Sequence, residues 1–100
     1  MLIDKNMTII DQIALNIIKE QELIIGPLAW IEAKKVAGIK VIDQKQGQLD
    51  LENGEPNQII DRLVAQYDRL FGRASHEVSK EAAAPFLVNL ASSEMPSSLK

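Results

Sequence analysis

The clearest alternation of apolar and polar positions lies between Pro56 and Gly72. Its apolar residues recur at steps of three and four, which places them on one face of an α-helix. They are Ile59, Ile60, Leu63, Val64, Tyr67, Leu70 and Phe71. Pro56 suits the first helical position, and Gly72 suits the left-handed residue that closes a helix. We predict that this wide stripe is the central packing element, touching the first helix and either the fourth helix or a second subunit.

A second apolar repeat predicts a helix from Thr8 to about Gln21. The repeat consists of Ile9, Ile10, Ile13, Ala14, Ile17 and Ile18. We expect Thr8 to cap this helix, with Asp11 reaching back in a weak form of the capping box. Because β-branched residues have modest helix propensity, burial against other elements must supply much of its stability.

The Gly26–Pro27 pair interrupts the apolar pattern. The surrounding residues are compatible with one long kinked helix or with a break at Gly26, and we favour the break because Gly-Pro is a strong turn signal. A second helix is then predicted from Pro27 to about Ala37, ended by Gly38. Its predicted inward residues are Leu28, Ile31 and Val36, with Ala29, Ala33 and Trp30 beside them.

Two short segments at about 39–43 and 48–52 predict a β-hairpin. The first is β-branched, and the second alternates so that Leu49 and Leu51 share one face. The polar residues between them include Gly47, which a hairpin turn can use. Since two strands alone are marginally stable, we expect the hairpin to pack on helices or to pair with another chain.

A fourth helix is predicted to begin with Ser75 as its cap and to direct Val78, Ala82 and Ala83 inward. Pro85 either starts a new helix after this one ends near Ala83, or kinks the helix, because an interior proline costs about 3 kcal/mol. The predicted fold is therefore α+β and mostly α, in the order helix, helix, hairpin, helix, helix. We expect one small domain over 1–100, with 1–7 and 92–100 loosely held.

Composition narrows the function classes. Hydrophobic content of 46% and charged content of 25% are typical of a globular protein. The net charge of −3 argues against strong phosphate-driven nucleic-acid binding, and the lack of cysteine excludes disulfides, cysteine metal sites and thiol catalysis. No segment approaches the ~18 apolar residues of a membrane span or has a signal-peptide pattern, so we expect a cytoplasmic protein with no membrane association.

Enzymatic and metal chemistry lack a sequence signal. The single histidine, His76, has Glu77, Lys80 and Glu81 nearby, but these do not form a pair of metal ligands at i and i+4. There is no Gly-x-Ser-x-Gly elbow and no glycine-rich phosphate loop. We therefore expect a protein that is not an enzyme and that uses no metal or cofactor.

The run Ser75-His76-Glu77-Val78 resembles the phosphoacceptor box of sensor histidine kinases. In that box an Arg-Thr-Pro-Leu sequence follows, whereas Ser79, Lys80, Glu81 and Ala82 occupy those places here. The resemblance implies histidine phosphotransfer through His76 as the third functional hypothesis.

DNA binding is the second hypothesis. Two helices followed by a hairpin resemble a winged-helix arrangement in outline, although a winged helix has three helices before its hairpin. Positive charge would come from the second helix and the hairpin, through Lys34, Lys35, Lys40 and Lys45.

Protein interaction is the first hypothesis, because two broad apolar stripes, a short hairpin and a C-terminal apolar patch all need to be covered. A second copy can cover part of such a surface, and two-fold homodimers are the commonest oligomers. We predict a non-catalytic interaction or regulatory module, a homodimer that presents a helical surface to a protein partner. The predicted interaction residues are Ile59, Leu63, Tyr67, Leu70 and Trp30.

Overall fold

The computed structural model describes residues 8–88, 90 and 95–99. These residues form α1 (Ile9–Ile25), α2 (Leu28–Lys34), β1 (Ile39–Asp43), β2 (Gln48–Leu51), α3 (Pro56–Phe71), α4 (Arg73–Leu87) and a short 3-10 helix (Ser97–Leu99). The predicted α+β fold, with its hairpin between the second and third helices, is confirmed. The predicted loose segment 1–7 lies outside the described residues.

The first helix begins with the predicted capping box. The Asp11 amide donates to Thr8 Oγ1 at 3.1 Å, and the Thr8 amide donates to Asp11 Oδ2 at 3.0 Å. α1 continues one turn beyond the predicted end and stops at Gly26, whose φ of 68° suits glycine. The predicted break between the first two helices is therefore confirmed.

The second helix is shorter than predicted and buries a different face. Its buried residues include Ala29, Trp30 and Ala33, whereas Leu28 and Ile31 are 39% and 51% exposed. Successive helical residues are ~100° apart, so Ile31 points away from the face that Ala29 and Ala33 share. The prediction that Leu28 and Ile31 point inward is wrong.

Of the two arrangements expected for the hairpin, packing on the helices is observed. Its antiparallel register pairs Ile39 with Leu51 and Val41 with Leu49, and a register shift follows Val41. Leu49 is fully buried and Ile39 is 9% exposed. Contacts of β2 with α1 and of β1 with α2 place the strands beside the first two helices.

Helix α3 has the predicted ends, with Pro56 in the first turn and Gly72 as the residue that closes it. Its stripe is buried from Ile59 to Tyr67, but Leu70 is 49% exposed. α3 packs against α1, α2, α4 and the 3-10 helix. The prediction that Leu70 points inward is wrong, whereas Phe71 in the same turn is half-buried and packs against the core.

Helix α4 starts at Arg73, directly after Gly72, so Ser75 is a buried interior residue and not the predicted cap. Its hydroxyl and carbonyl oxygens, together with Ser79 Oγ, lie 2.9 to 3.1 Å from Gln21 Nε2. Of the two alternatives for Pro85, a separate helix is wrong, because α4 continues through Pro85 to Leu87. Ala82 and Ala83 are buried as predicted.

The described part of the C-terminal segment packs on α3. Leu99 is 4% exposed, and Asp61 Oδ1 accepts hydrogen bonds from the Ser98 amide at 2.9 Å and the Ser98 hydroxyl at 2.6 Å. Residues 95–99 therefore differ from the loose tail predicted for 92–100, because apolar burial and a carboxylate acceptor hold them.

The buried Tyr67 hydroxyl predicts a loss of stability at high pH. It donates to the Ala29 carbonyl at 2.7 Å, and burial raises its pKa above the ordinary value, with the Glu32 and Glu22 carboxylates adding to the effect. In the unfolded chain, the tyrosine hydroxyl has a pKa of about 10. Unfolding free energy should then fall above that pH by up to about 1.4 kcal/mol per pH unit, measured by urea unfolding across the alkaline range.

Tyr67→Phe is the matched variant, because Tyr67 is the only tyrosine in the chain. It should lack this alkaline slope, while lysine titration affects both proteins equally. Equal slopes in the two proteins would contradict the assignment to Tyr67.

Candidate functional site

Four of the five predicted interaction residues lie in the core of one chain. Trp30 is 2% exposed, and Ile59, Leu63 and Tyr67 are fully buried. Only Leu70 is exposed to solvent. The apolar stripe of α3 is covered by the other helices of the same chain, so it does not form the partner surface expected from the sequence.

A different group of large apolar side chains is exposed. Leu23 is 78%, Ile24 64%, Leu28 39% and Ile31 51% exposed. Leu23 and Ile24 belong to the last turns of α1, and Leu28 and Ile31 belong to the outer face of α2. We name these four residues the apolar surface. Neighbouring exposed apolar residues of this kind are typical of interaction sites, whereas single ones are common on any protein.

A groove between α1 and α4 adjoins the apolar surface. Its volume is about 470 Å³. Its apolar lining residues are Leu23, Ile24, Val78, Ala82 and Pro85, and its polar ones are Asn16, Glu20 and Glu81. Asn16 Nδ2 donates to the Ala82 carbonyl at 2.7 Å, which ties the two helices together at the groove.

Charged side chains of both signs lie near the apolar surface. Glu20 and Glu81 line the groove, and both are exposed. Lys34 is exposed at the last position of α2, one turn after Ile31. The groove therefore carries negative charge, and the last position of α2 carries positive charge.

His76 lies in a second cleft, at the junction of α3 and α4. Its Nδ1 is 2.6 Å from Asp68 Oδ2, and the two side chains are 32% and 31% exposed. Asp68 Oδ1 is buried and has no hydrogen-bond partner among the described residues. Arg73, Glu77 and Lys80 also line this cleft of about 460 Å³. The pairing with Asp68 was missed in the sequence, since it depends on how α4 turns back at Gly72.

An imidazole whose Nδ1 is engaged by a carboxylate has a defined orientation, and its Nε2 is the nitrogen left for chemistry. This geometry is compatible with the phosphoacceptor hypothesis for His76, which stays a prediction.

The four lysines of the DNA-binding hypothesis are all exposed. Lys35 Nζ is 3.0 Å from Glu32 Oε2, and Lys40 Nζ is 4.0 Å from Glu52 Oε2. Carboxylates therefore oppose two of the four charges, while Lys34 and Lys45 lie on α2 and in the hairpin turn. DNA binding also stays a prediction.

In residues 8–88, 90 and 95–99, no group of three or more His, Asp or Glu side chains is arranged to hold a metal ion. Within the same part of the chain, no helix combines the length and the apolar character needed to cross a membrane.

Comparison of the chain with protein-family models, curated proteins and solved structures finds no match.

Proposed function

We propose that the protein is a non-catalytic interaction module that forms a two-fold homodimer through the apolar surface. The observation that carries this proposal is the exposure of Leu23, Ile24, Leu28 and Ile31 beside the groove between α1 and α4. Exposed helical positions outside the dimer contact, including Leu70, are then available to a further protein partner.

A second copy is the proposed occupant because one chain offers both exposed apolar residues and an adjoining groove, together with charges of both signs. Two-fold symmetry brings one surface patch against the same patch of the other protomer. The outer face of α2, with Leu28 and Ile31, is a ridge that can enter the partner's groove. This arrangement brings Lys34 towards the partner's Glu20 or the partner's Glu81, so that the charges at the two ends of the contact attract each other.

Hydrophobic burial supplies the main driving force. Complete burial of a leucine or isoleucine side chain contributes about 1.5–3 kcal/mol. Each protomer offers four such side chains with between 39% and 78% of their surface still exposed. Only part of this gain appears as affinity, because association costs translational, rotational and side-chain freedom.

Ile24→Glu is expected to disrupt the dimer. The wild-type chain of 11.1 kDa should sediment with about twice its monomer mass, and Ile24→Glu should weaken association at least about tenfold, because a carboxylate replaces an apolar contact. Ile42→Glu is the matched control, since Ile42 is 54% exposed on the hairpin and outside the apolar surface. Its dimer should be unchanged.

Charge reversal tests the orientation of the contact. Lys34→Glu should weaken the dimer, and Glu20→Lys with Glu81→Lys in the same chain should restore part of the affinity. A wild-type protein that stays monomeric at high concentration would exclude the homodimer. Equal disruption by Ile24→Glu and Ile42→Glu would show that the contact lies elsewhere.

A further inference from the structure

A third cleft, between α3 and the segment 35–37 that follows α2, has only cations among its charged lining residues. Its volume is about 250 Å³, and Lys35, Arg62 and Arg69 line it together with Gln66. The whole chain has a net charge of −3, so the charge of this cluster is opposite in sign to the net charge of the chain. The cleft is distinct from the groove of the proposed dimer, which lies between α1 and α4.

A buried carboxylate behind the cleft holds two of its side chains in place. Glu32 is only 6% exposed, and its Oε2 accepts from Lys35 Nζ at 3.0 Å while its Oε1 accepts from Gln66 Nε2 at 2.7 Å. These two hydrogen bonds hold the pKa of Glu32 below its ordinary value. Buried carboxylates are rare unless paired, and this one bonds the residue that follows α2 and a residue of α3.

The hydrogen bonds continue from Gln66 to Arg69. Gln66 Oε1 accepts from Arg69 Nη2, so Lys35, Glu32, Gln66 and Arg69 form one connected network. Arg62 is held separately, because its Nη1 donates to the Ala37 carbonyl at 3.2 Å. Arg62, Gln66 and Arg69 are spaced four and three residues apart, which places them on one face of α3.

The network leaves unused hydrogen-bond donors and uncompensated charge. A guanidinium has five N–H donors, and the bonds described above use one donor from each arginine. The charge of Glu32 is balanced by Lys35, with which it forms an ion pair. Arg69 also interacts electrostatically with the Glu32 carboxylate, but three cations surround this one carboxylate, so net positive charge remains at the cleft.

We infer that this cleft binds a small oxyanion of the phosphate class, either inorganic phosphate or a phosphate monoester. Arginine donates to phosphate oxygens through two parallel N–H groups, and partial immobilisation of both side chains lowers the entropy lost on binding. The volume of about 250 Å³ is below the ~300–1,000 Å³ that is usual for drug-sized ligands, so a single phosphate group with a small substituent is the expected size.

The test is an NMR titration of the ¹⁵N-labelled full chain with inorganic phosphate at constant ionic strength. The backbone amides of Val36, Ala37 and Gln66 should shift and saturate, since these residues line the cleft. Arg69→Gln and Arg62→Gln should each weaken binding about tenfold, because each loses charge-assisted hydrogen bonds. Arg73→Gln makes the same chemical change on α4, outside this cleft, and should bind as the wild type does.

A second arm of the titration uses phosphoserine. Tighter binding of phosphoserine than of inorganic phosphate identifies the monoester as the ligand, and the reverse order identifies the free anion; both results support the cleft. Thermal unfolding of each variant checks its fold. Arg62 also donates a hydrogen bond to the Ala37 carbonyl, so Arg62→Gln could destabilise the fold. In that case the phosphate affinity of Arg69→Gln decides the test.

Three results would overturn the inference. The first is a phosphate response that does not saturate or that chloride reproduces. The second is equal phosphate affinity of Arg69→Gln and the wild type. The third is binding of a thymidine oligonucleotide without binding of inorganic phosphate, which would instead favour the DNA-binding hypothesis. None of these results depends on whether the proposed homodimer forms, because sedimentation measures that separately.

Discussion

Leu63→Ala is expected to lower the free energy of unfolding by about 3 kcal/mol. Leu63 is fully buried at the middle of α3, where its neighbours along the stripe, Ile60 and Tyr67, are also fully buried. Truncation to alanine removes apolar contacts and leaves a cavity, since close-packed neighbours relax only partly into the space. Urea unfolding followed by circular dichroism measures the change.

Leu70→Ala is the matched control for this prediction. It makes the same substitution two turns later in the same helix, at a side chain that is 49% exposed. Its cost should be below about 1 kcal/mol, because much of the leucine already contacts water. Similar losses at the two positions would show that α3 does not have the central packing role assigned to it.

Gly38→Ala is expected to cost about 3 kcal/mol, from backbone strain and overpacking together. Gly38 has a φ of +100°, a backbone conformation that residues other than glycine rarely adopt. A Cβ there would lie 2.6 Å from Ile59 Cδ1 and 3.0 Å from the Glu52 carbonyl oxygen. The Gly38 carbonyl also accepts from the Glu52 amide at 2.7 Å, so a shift of this residue disturbs the open end of the hairpin. Urea unfolding again gives the size of the effect.

Gly54→Ala provides the comparison, because it approaches the same isoleucine without the strain. A Cβ at Gly54 would have its nearest contact at 3.8 Å, with Ile59. We expect a change within about 1 kcal/mol. If both glycine variants were equally stable, neither the positive φ nor the close contact with Ile59 would matter in solution.

Local signals predicted the helix and hairpin framework well. The capping box of Thr8 and Asp11 depends on groups three residues apart, and the break at Gly26 depends on the conformational freedom of one residue. Pro56 and Gly72 marked the ends of α3 for similar reasons. Such features can be read from the sequence because the interacting atoms belong to neighbouring residues.

The buried face of each helix was predicted less well than its existence. A period of three and four residues identifies an apolar stripe, but it does not say how far around the helix the neighbouring elements reach. Leu28, Ile31 and Leu70 belong to apolar patterns and are nevertheless exposed, because the packing partners cover other sides of their helices. Ser75 lies inside α4 and is not its cap, because α4 follows Gly72 without a connecting loop.

The candidate sites depended on tertiary contacts. Glu32 and Gln66 are far apart in the sequence, yet their side chains are 2.7 Å apart across the α2–α3 contact. Asp68 and His76 meet only because the chain reverses at Gly72. Neither pair has a spacing that marks it as a motif, so no sequence pattern indicated them.

The amino-acid sequence by itself determined which segments form helices and strands and marked several of their ends, because caps, turns and periodicity act over a few residues. Only the tertiary structure decided which apolar residues are covered and which polar side chains meet. The stripe between Pro56 and Gly72 illustrates both parts: its helix was evident from the pattern, but its burial from Ile59 to Tyr67 moved the expected partner surface to Leu23, Ile24, Leu28 and Ile31. The physical reason is that burial depends on how whole helices are placed relative to one another. That placement results from contacts between residues that are distant in the chain.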